Sequence, residues 1–403
     1  PLPLEGLFTY GVPDALASRV QVGVRVRVPL GKSKTYVGIV AEYPVALPAS
    51  DSGVVDNEKK IVYKDILEVL DATPILLPQQ LRLWRWISDY YMSPIGDVYK
   101  AALPSGLKAE DGYRPRTELY VRLADNFRNE RSLTLMIDAM KRASKQVEVL
   151  MAYLRLAGVD GVEHLTTETP LREVTREELM NDTHTTIGVI RALSDRKLLV
   201  TYEKEVGRLN DNVLPHPEHI KPLNEAQTEA YNQILIQMMG HPVTLLHGVT
   251  SSGKTEIYIH LIQKAIDEHK QVLYLLPEIA LTVQITERLK AVFGNRLGIY
   301  HSKYSDAERV EIWQKQLSTQ PYDVILGARS AVFLPFQRLG LVIIDEEHEQ
   351  SFKQQDPAPR YHARSAAIVL AQMYAGAKTL LGTATPSMET YYNAQQGKYG
   401  LVE

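Results

Sequence analysis

The chain has 403 residues, 45 % of them hydrophobic, a formal net charge of −3 and no cysteine. That length and apolar content allow two or three domains with sizeable cores, and the missing cysteines exclude disulfides and cysteine-ligated zinc within this stretch. With no global basic excess, affinity for nucleic acid has to come from local patches. No apolar run reaches the roughly 18 residues of a membrane helix, so no membrane partner is expected, and a reducing cytoplasm is permitted.

Residues 1–105 carry as many acidic as basic side chains and read mostly as strand. Val20-Gln21-Val22-Gly23-Val24-Arg25-Val26-Arg27-Val28-Pro29 alternates apolar and polar positions, the period-2 mark of a half-exposed strand. Tyr36–Val40 and Ile66–Leu70 are further expected strands, with a basic turn, Leu30 to Thr35, between the first two. From Pro78 to Tyr91 a helix carries Leu81, Leu83, Trp84, Trp86, Ile87, Tyr90 and Tyr91. The reading is a small β-barrel with a trailing aromatic helix. Such barrels, with basic strands and aromatic faces, suit single strands or strand ends. The plainer alternative is a barrel that only packs against the rest of the chain.

Residues 106–116 contain Pro and Gly among charges and read as a linker. Residues 117–203 read as a winged-helix-like domain: a short helix Thr175–Met180, a polar turn Asn181–Thr185, a second helix Thr186–Lys197, and a strand Leu198–Glu205 as the wing. Arg191, Arg196 and Lys197 would contact phosphates, although such units also serve as protein–protein spacers. Residues 204–222, with Pro215, Pro217 and Pro222, read as a second linker.

From 223 to 403 the pattern changes to strands alternating with helices. Val243-Thr244-Leu245-Leu246 is a short apolar strand, and Gly248-Val249-Thr250-Ser251-Ser252-Gly253-Lys254-Thr255 follows it. This fits the phosphate-binding spacing G-x-x-x-x-G-K-[ST] and opens a helix, the context that a phosphate cradle needs. Its glycines let successive N–H groups turn inward, and the helix start adds positive potential. Lys254 would reach the β/γ-phosphates of ATP or ADP, and Thr255 would offer its hydroxyl to Mg²⁺. A second buried strand, Leu341-Val342-Ile343-Ile344, ends in Asp345-Glu346-Glu347-His348. Asp345 would hold the Mg²⁺ through water, Glu346 would polarise the attacking water, and His348 would sense the γ-phosphate. A third strand runs into Gly382-Thr383-Ala384-Thr385-Pro386-Ser387, where Thr383 and Thr385 would couple nucleotide state to a bound strand. Between them, the loop Ser351 to Arg364 interleaves Phe352 and Tyr361 with Lys353, Arg360, His362 and Arg364, a composition suited to sensing a single strand. A surface loop whose aromatic rings pack inward is the alternative.

The order Gln227, Gly248–Thr255, Asp345–His348, Gly382–Ser387 resembles the first motor lobe of a superfamily 2 helicase. Finer stretches resemble the PriA family of primosomal replication-restart helicases: Leu276-Pro277-Glu278-Ile279-Ala280-Leu281-Thr282, Gly327-Ala328-Arg329-Ser330-Ala331-Val332-Phe333-Leu334-Pro335, Phe352-Lys353-Gln354-Gln355 through Arg364, and the opening Pro1-Leu2-Pro3-Leu4. The resemblance spans nearly the whole chain. It implies a multidomain α/β protein: a small N-terminal β-barrel, a winged-helix-like domain, and a RecA-like parallel motor lobe. It also implies an ATP-dependent 3′-to-5′ DNA helicase that recognises stalled forks and assembles a primosome. Gln227 would read the adenine edge, and Arg329 would join Phe352, Lys353, Arg360 and Tyr361 on DNA. In the resembled family the N-terminal domain caps the 3′ end of the nascent leading strand, and by position the pocket maps onto Phe8, Thr9, Gly31 and Lys64. Thr9 departs from the Asp often found there, and a neutral hydroxyl accepts a 3′-OH hydrogen bond more weakly than a carboxylate does.

Forked and single-stranded DNA, single-strand DNA-binding protein and primosome proteins are the implied partners, in the cytoplasm at the nucleoid. Only Met388 to Glu403 follow the third motif, so the second lobe, whose arginine finger is typically worth ~10³–10⁵ in rate, is expected to be absent. The family's zinc region belongs to that later part. The expectation is an N-terminal fragment that binds nucleotide and fork DNA but hydrolyses poorly and does not unwind. A structure-specific DNA-binding module with a vestigial nucleotide site, and another superfamily 2 translocase, are the competing readings.

Overall fold

The computed structural model describes residues 6–31, 34–45, 63–109, 117–140, 142–205, 213–248, 253–278, 283–301 and 303–403. The chain divides into two compact units, one formed by Pro1–Tyr113 with Leu209–Glu403 and the other by Arg114–Arg208.

In the first unit, β1 (Arg25–Leu30), β2 (Lys34–Ile39) and β3 (Glu68–Val69) form an antiparallel sheet in the order β2-β1-β3. Val26 pairs with Gly38 on one side and Val69 on the other, so the alternating valines Val24, Val26 and Val28 turn together into a small core with Val20, Ile66 and Val69. The strand expected from Val20 begins only at Arg25. Gly23 stops it: its φ is +93°, its N–H donates to the Val40 carbonyl, and a Cβ there would lie 2.3 Å from the Leu76 carbonyl oxygen.

The helix Pro78–Tyr90 does not trail the barrel as an exposed aromatic face. Its Gln80, Leu83, Trp84 and Ile87, at helical spacing, are buried in one core with Trp313, Phe333 and Phe336 of the motor lobe. Two long-range hydrogen bonds fix this packing: Trp313 Nε1 donates to the Ile75 carbonyl at 2.8 Å, and Gln80 Nε2 donates to the Phe333 carbonyl at 2.6 Å. The expected linkers are also partly structured. Ser105–Lys108 is a helical turn whose first N–H groups donate to the Asp306 carboxylate. Val213 and His216 are hydrogen-bonded to Asn295 and Val292.

The second unit holds β4 (Thr117–Leu123), β5 (Val174–Thr175) and β6 (Leu199–Glu205), ordered β5-β4-β6 and antiparallel. Helices Arg176–Thr183 and Ile187–Asp195 stand where the helix–turn–helix was expected. The first starts one residue later and ends three residues later than the sequence suggests. Thr183 stays helical by donating its hydroxyl to the Leu179 carbonyl, and His184, at φ +46°, makes the left-handed cap.

The motor lobe is built on β7 (Val243–His247), β8 (Gln271–Leu275), β9 (Leu297–Tyr300), β10 (Val324–Gly327), β11 (Leu339–Asp345), β12 (Lys378–Thr383) and β13 (Gly400–Val402). They form one sheet in the order β13-β7-β12-β11-β8-β10-β9, parallel throughout. Every residue of β8 and β10 is buried, which accounts for the apolar runs Val272–Leu275 and Val324–Leu326; Gln271 is buried with its Nε2 donating to Gln316 Oε1 and the Tyr322 carbonyl. Ligands of such sheets bind beyond the carboxyl ends of the strands, and β7, β11 and β12 end side by side there, with Asp345 paired to Gly382 and Thr383 to His247.

Candidate nucleotide and DNA site

The site begins where β7 ends. Val249, Thr250, Ser251 and Ser252 lie outside the described residues, but both ends of their loop are described. Gly253, at φ +80°, precedes the helix Lys254–Asp267, and a Cβ on it would meet Gln227 Nε2 at 2.2 Å. Only glycine fits. Lys254 is 8 % exposed, and its ammonium donates to the Gly248 carbonyl at 3.0 Å, spanning the loop from helix start to strand end. Thr255 sits half-buried one residue further on. Gln227 is tied to this loop through Gly253, its Nε2 lying 3.4 Å from that carbonyl. Its carboxamide oxygen caps the helix Glu225–Gly240 by accepting from Asn224 N–H.

Opposite, Asp345 ends β11. Tyr258 Oη donates to its Oδ1 at 3.1 Å and Tyr274 Oη to its Oδ2 at 3.3 Å. Burial raises the Asp345 carboxyl above its ordinary range, the neighbouring Glu346 charge adds to this, and the Tyr258 hydrogen bond and the Lys254 ammonium work against it. A cation placed beside Asp345 would restore its charged form. Both tyrosine hydroxyls are pushed far up, first by their own burial, and so remain donors. The approach is close enough that β12 needs glycine here, since a Cβ on Gly382 would sit 1.8 Å from Tyr258 Oη. Glu346 adopts φ +48°, a left-handed conformation that costs a glutamate on the order of 1–3 kcal/mol and is typical of functional turns.

The three residues expected to couple nucleotide state come together. His348 Nδ1 is 2.7 Å from Thr383 Oγ1, and Nε2 is 3.5 Å from Thr385 Oγ1. Their neighbour Glu347, for which the sequence suggests no role, is fully buried. Its carboxylate accepts from Ser387 N–H at 2.6 Å, Ser387 Oγ at 3.2 Å and Thr390 Oγ1 at 3.0 Å, and it pairs with Arg364. Arg364, expected to face phosphates, is thus committed to locking the third motif onto the second. The signal available in sequence was weak: the third residue of an acidic box and a serine five residues after Gly382.

The loop Ser351–Arg364 corrects the expectation of exposed stacking rings. Phe352 is 0 % and Tyr361 1 % exposed, and both belong to the main apolar core. Gln354 N–H donates to the Tyr361 carbonyl, which closes the loop as a hairpin and carries both rings inward. Arg329 is likewise turned to structure, its guanidinium donating to the carbonyls of Ser351 at 3.4 Å and Lys353 at 3.3 Å. Lys353 bonds the Arg360 carbonyl and lies 5.0 Å above the Tyr91 ring. Of the five residues assigned to DNA in this region, only Arg360 has a side chain mostly in solvent, 65 % exposed.

In the N-terminal sheet, Gly31 and Lys64 are adjacent: Lys64 Nζ donates to the Gly31 carbonyl at 2.5 Å, and Gly31, at φ +73°, has open space where a Cβ would be. Phe8, 54 % exposed, and Thr9 line a cavity of about 1120 Å³ walled also by Tyr36, Tyr63 and Trp84. Arg191, Arg196 and Lys197 of the second unit are exposed. Among the described residues no helix is long and apolar enough to cross a membrane.

Lys254 beside Gly253, a carboxylate at the end of the adjoining strand but one, and a histidine–threonine bridge between neighbouring strand ends thus meet at the sheet edge where α/β proteins of the nucleotide-binding class take their ligands. Residues 224–394 match the DEAD/DEAH box helicase family. Residues 1–104 match the PriA 3′DNA-binding domain and 118–206 the winged helix domain of PriA helicase in Bacteroidota. The replication restart protein PriA of Haemophilus influenzae is 36 % identical over 99 % of this chain and 50 % of its own length. Those of Bacillus subtilis and Chlamydia trachomatis are 32 % and 34 % identical, over 98 % and 99 % of this chain and 53 % and 50 % of theirs. The chain therefore spans about half the length of these relatives, and it belongs to the PriA family of replication restart proteins.

Proposed function

We propose that this chain is the fork-recognising and nucleotide-binding part of an ATP-dependent 3′-to-5′ DNA helicase that restarts replication. The observation that carries the reading is the convergence at one sheet edge of Lys254, Asp345 and the His348–Thr383 bond, in a chain that also has the family's 3′DNA-binding domain. Lys254 and Gly253 would hold the phosphates of ATP or ADP. The hard oxygen donors of Thr255 and Asp345 fit Mg²⁺, which when bound neutralises phosphate charge. Glu346 would polarise the attacking water, and His348 would pass phosphate occupancy to Thr383 and Thr385. Phe8 would stack on the terminal base of a 3′ end, and Lys64 would meet its phosphate. By itself the chain would bind nucleotide and forked DNA and leave the duplex unopened. Single-strand DNA-binding protein and primosome proteins are the proposed partners, met in the cytoplasm at the nucleoid.

The test is fork binding by the chain, with a leading-strand 3′-OH or a 3′-phosphate at the branch, each with and without ADP. Several-fold preference for the 3′-OH supports an end-reading pocket at Phe8 and Thr9. Equal affinity for both ends would remove Phe8, Thr9, Gly31 and Lys64 from the reading and leave recognition to branch shape and phosphates.

A further inference from the structure

His216-Pro217-Glu218-His219 forms a single 3₁₀ turn ahead of the helix Glu225–Gly240, with His219 N–H donating to the His216 carbonyl at 2.9 Å. The turn gathers two imidazoles and a carboxylate on one side. The rings stack with centroids 5.0 Å apart and planes at 25°, and His216 Nδ1 lies 2.8 Å from Glu218 Oε1. One ligand atom from each of the three falls within 4.8 Å of the other two, the one such group of three or more among the described residues.

A second observation concerns His219. Its Nδ1 lies 2.9 Å from the Ala291 carbonyl oxygen. A carbonyl can only accept, so Nδ1 carries the proton and the neutral ring keeps its lone pair on Nε2. That is the outer hydrogen bond that orients a metal-ligating histidine. The backbone is held from both ends as well. His216 N–H donates to the Val292 carbonyl at 2.8 Å, and Arg288 donates to the His219 carbonyl at 3.2 Å while paired with Glu256 at 2.7 Å. Pro217 fixes its own φ between the two histidines. Ordering of the ligands is thus largely complete without a cation.

We propose that His216, Glu218 and His219 are a transition-metal site, with Zn²⁺ bound by His216 Nδ1, the Glu218 carboxylate and His219 Nε2, and water completing a tetrahedron. The cation replaces the proton between His216 Nδ1 and Glu218, and the neutral His216 ring then carries its proton on Nε2. Zinc bonds of ~2.0–2.2 Å at tetrahedral angles place neighbouring ligands about 3.3 Å apart, a small opening of the His216–Glu218 pair. Two imidazoles beside one carboxylate select zinc over magnesium, which takes oxygen ligands in an octahedron, so the nucleotide's cation does not compete. Bound there, zinc fixes the turn that already hangs on the helix Val283–Phe293 through the His216 N–H and His219 Nδ1 hydrogen bonds. The site is independent of the nucleotide site, and its success or failure leaves the helicase reading untouched.

Calorimetric titration of Zn²⁺ into the nucleotide-free chain tests this, with Co²⁺ absorption as the coordination readout. One equivalent should bind, and His216→Ala and His219→Ala should each weaken it at least about tenfold. Glu218→Gln should weaken it too, while His164→Ala, exposed in the other unit, should not. Zinc should raise the melting temperature of the parent chain and of His164→Ala, and leave those of the His216→Ala and His219→Ala variants unchanged. A double His216→Ala/His219→Ala variant that binds zinc as tightly as the parent, or a parent that fails to saturate below ~1 mM, would overturn the site and leave a solvated His–Glu pair.

Discussion

Asp345 is the residue on which function and stability pull apart. Burial raises its carboxyl above the ordinary value, so the folded state holds this proton more tightly than the unfolded chain does. With more protons bound when folded, stability falls as pH rises from the ordinary carboxylate value through the raised one, and the cost stays in place at neutral pH. Asp345→Asn keeps the shape and removes the charge; its carboxamide oxygen accepts from one of the Tyr258 and Tyr274 hydroxyls, and its NH₂ donates to the other. It should stabilise the chain at pH 7 by on the order of 1 kcal/mol, and the gain should shrink on acidification. Nucleotide-dependent Mg²⁺ binding should be lost in the same variant. Melting curves at pH 7 and pH 4 decide it: a variant that melts below the parent at pH 7 removes the idea that this carboxylate is strained for function. The aspartate itself was legible because it ends an apolar run. The two tyrosines that hold it were not, because Tyr258 on a helix face and Tyr274 inside β8 carry the same periodic signal as core residues. Only the fold brings residues 71 and 87 positions away to one carboxylate.

At the scale of elements, periodicity found the pieces and misjudged what some of them face. The helix Pro78–Tyr90 was legible in extent, but its pattern cannot say which surface covers it. In the fold, Leu83, Trp84 and Ile87 close the motor core, and Trp84 is 2 % exposed. Trp84→Ala should therefore cost roughly 3–5 kcal/mol. Tyr90→Ala, at a residue 65 % exposed whose ring only stacks on Trp86 and Tyr91, should cost no more than about 1.5 kcal/mol. Chemical denaturation of the two variants separates a structural strut from an outward-facing aromatic platform, and a mild Trp84 effect would contradict the shared core. The loop Ser351–Arg364 was harder still. A hairpin without regular period gives no sign of which rings turn in, so Phe352 and Tyr361 looked available to bases until the Gln354–Tyr361 pairing placed them inside. Its fixed position, with Arg329 across its carbonyls and His362 N–H donating to Tyr91 Oη at 3.1 Å, ties the loop to both the sheet and the helix Pro78–Tyr90.

For the whole molecule, the order of motifs along the chain was enough to anticipate a parallel sheet with its loops at one edge, because strand-ending motifs in α/β proteins share that edge. What order could not give is how the N-terminal segment joins it, and here residues 75–108 pack as part of the motor's core. The proposed DNA-end pocket and the nucleotide loop nonetheless use separate residues on separate elements: Phe8, Thr9, Gly31 and Lys64 against Lys254, Thr255 and Asp345. Lys254→Ala removes one ammonium whose hydrogen bond goes to the Gly248 carbonyl of its own loop, and no residue of the small valine core around Val26 depends on it. ADP affinity should fall by an order of magnitude or more, since the charge opposite the phosphates is gone. Fork affinity measured without nucleotide should change less than about twofold. Joint loss of both in a variant with an unchanged melting curve would mean that the two sites are one cooperative surface. Separate loss would place end recognition and nucleotide binding on independently addressable parts of the first unit.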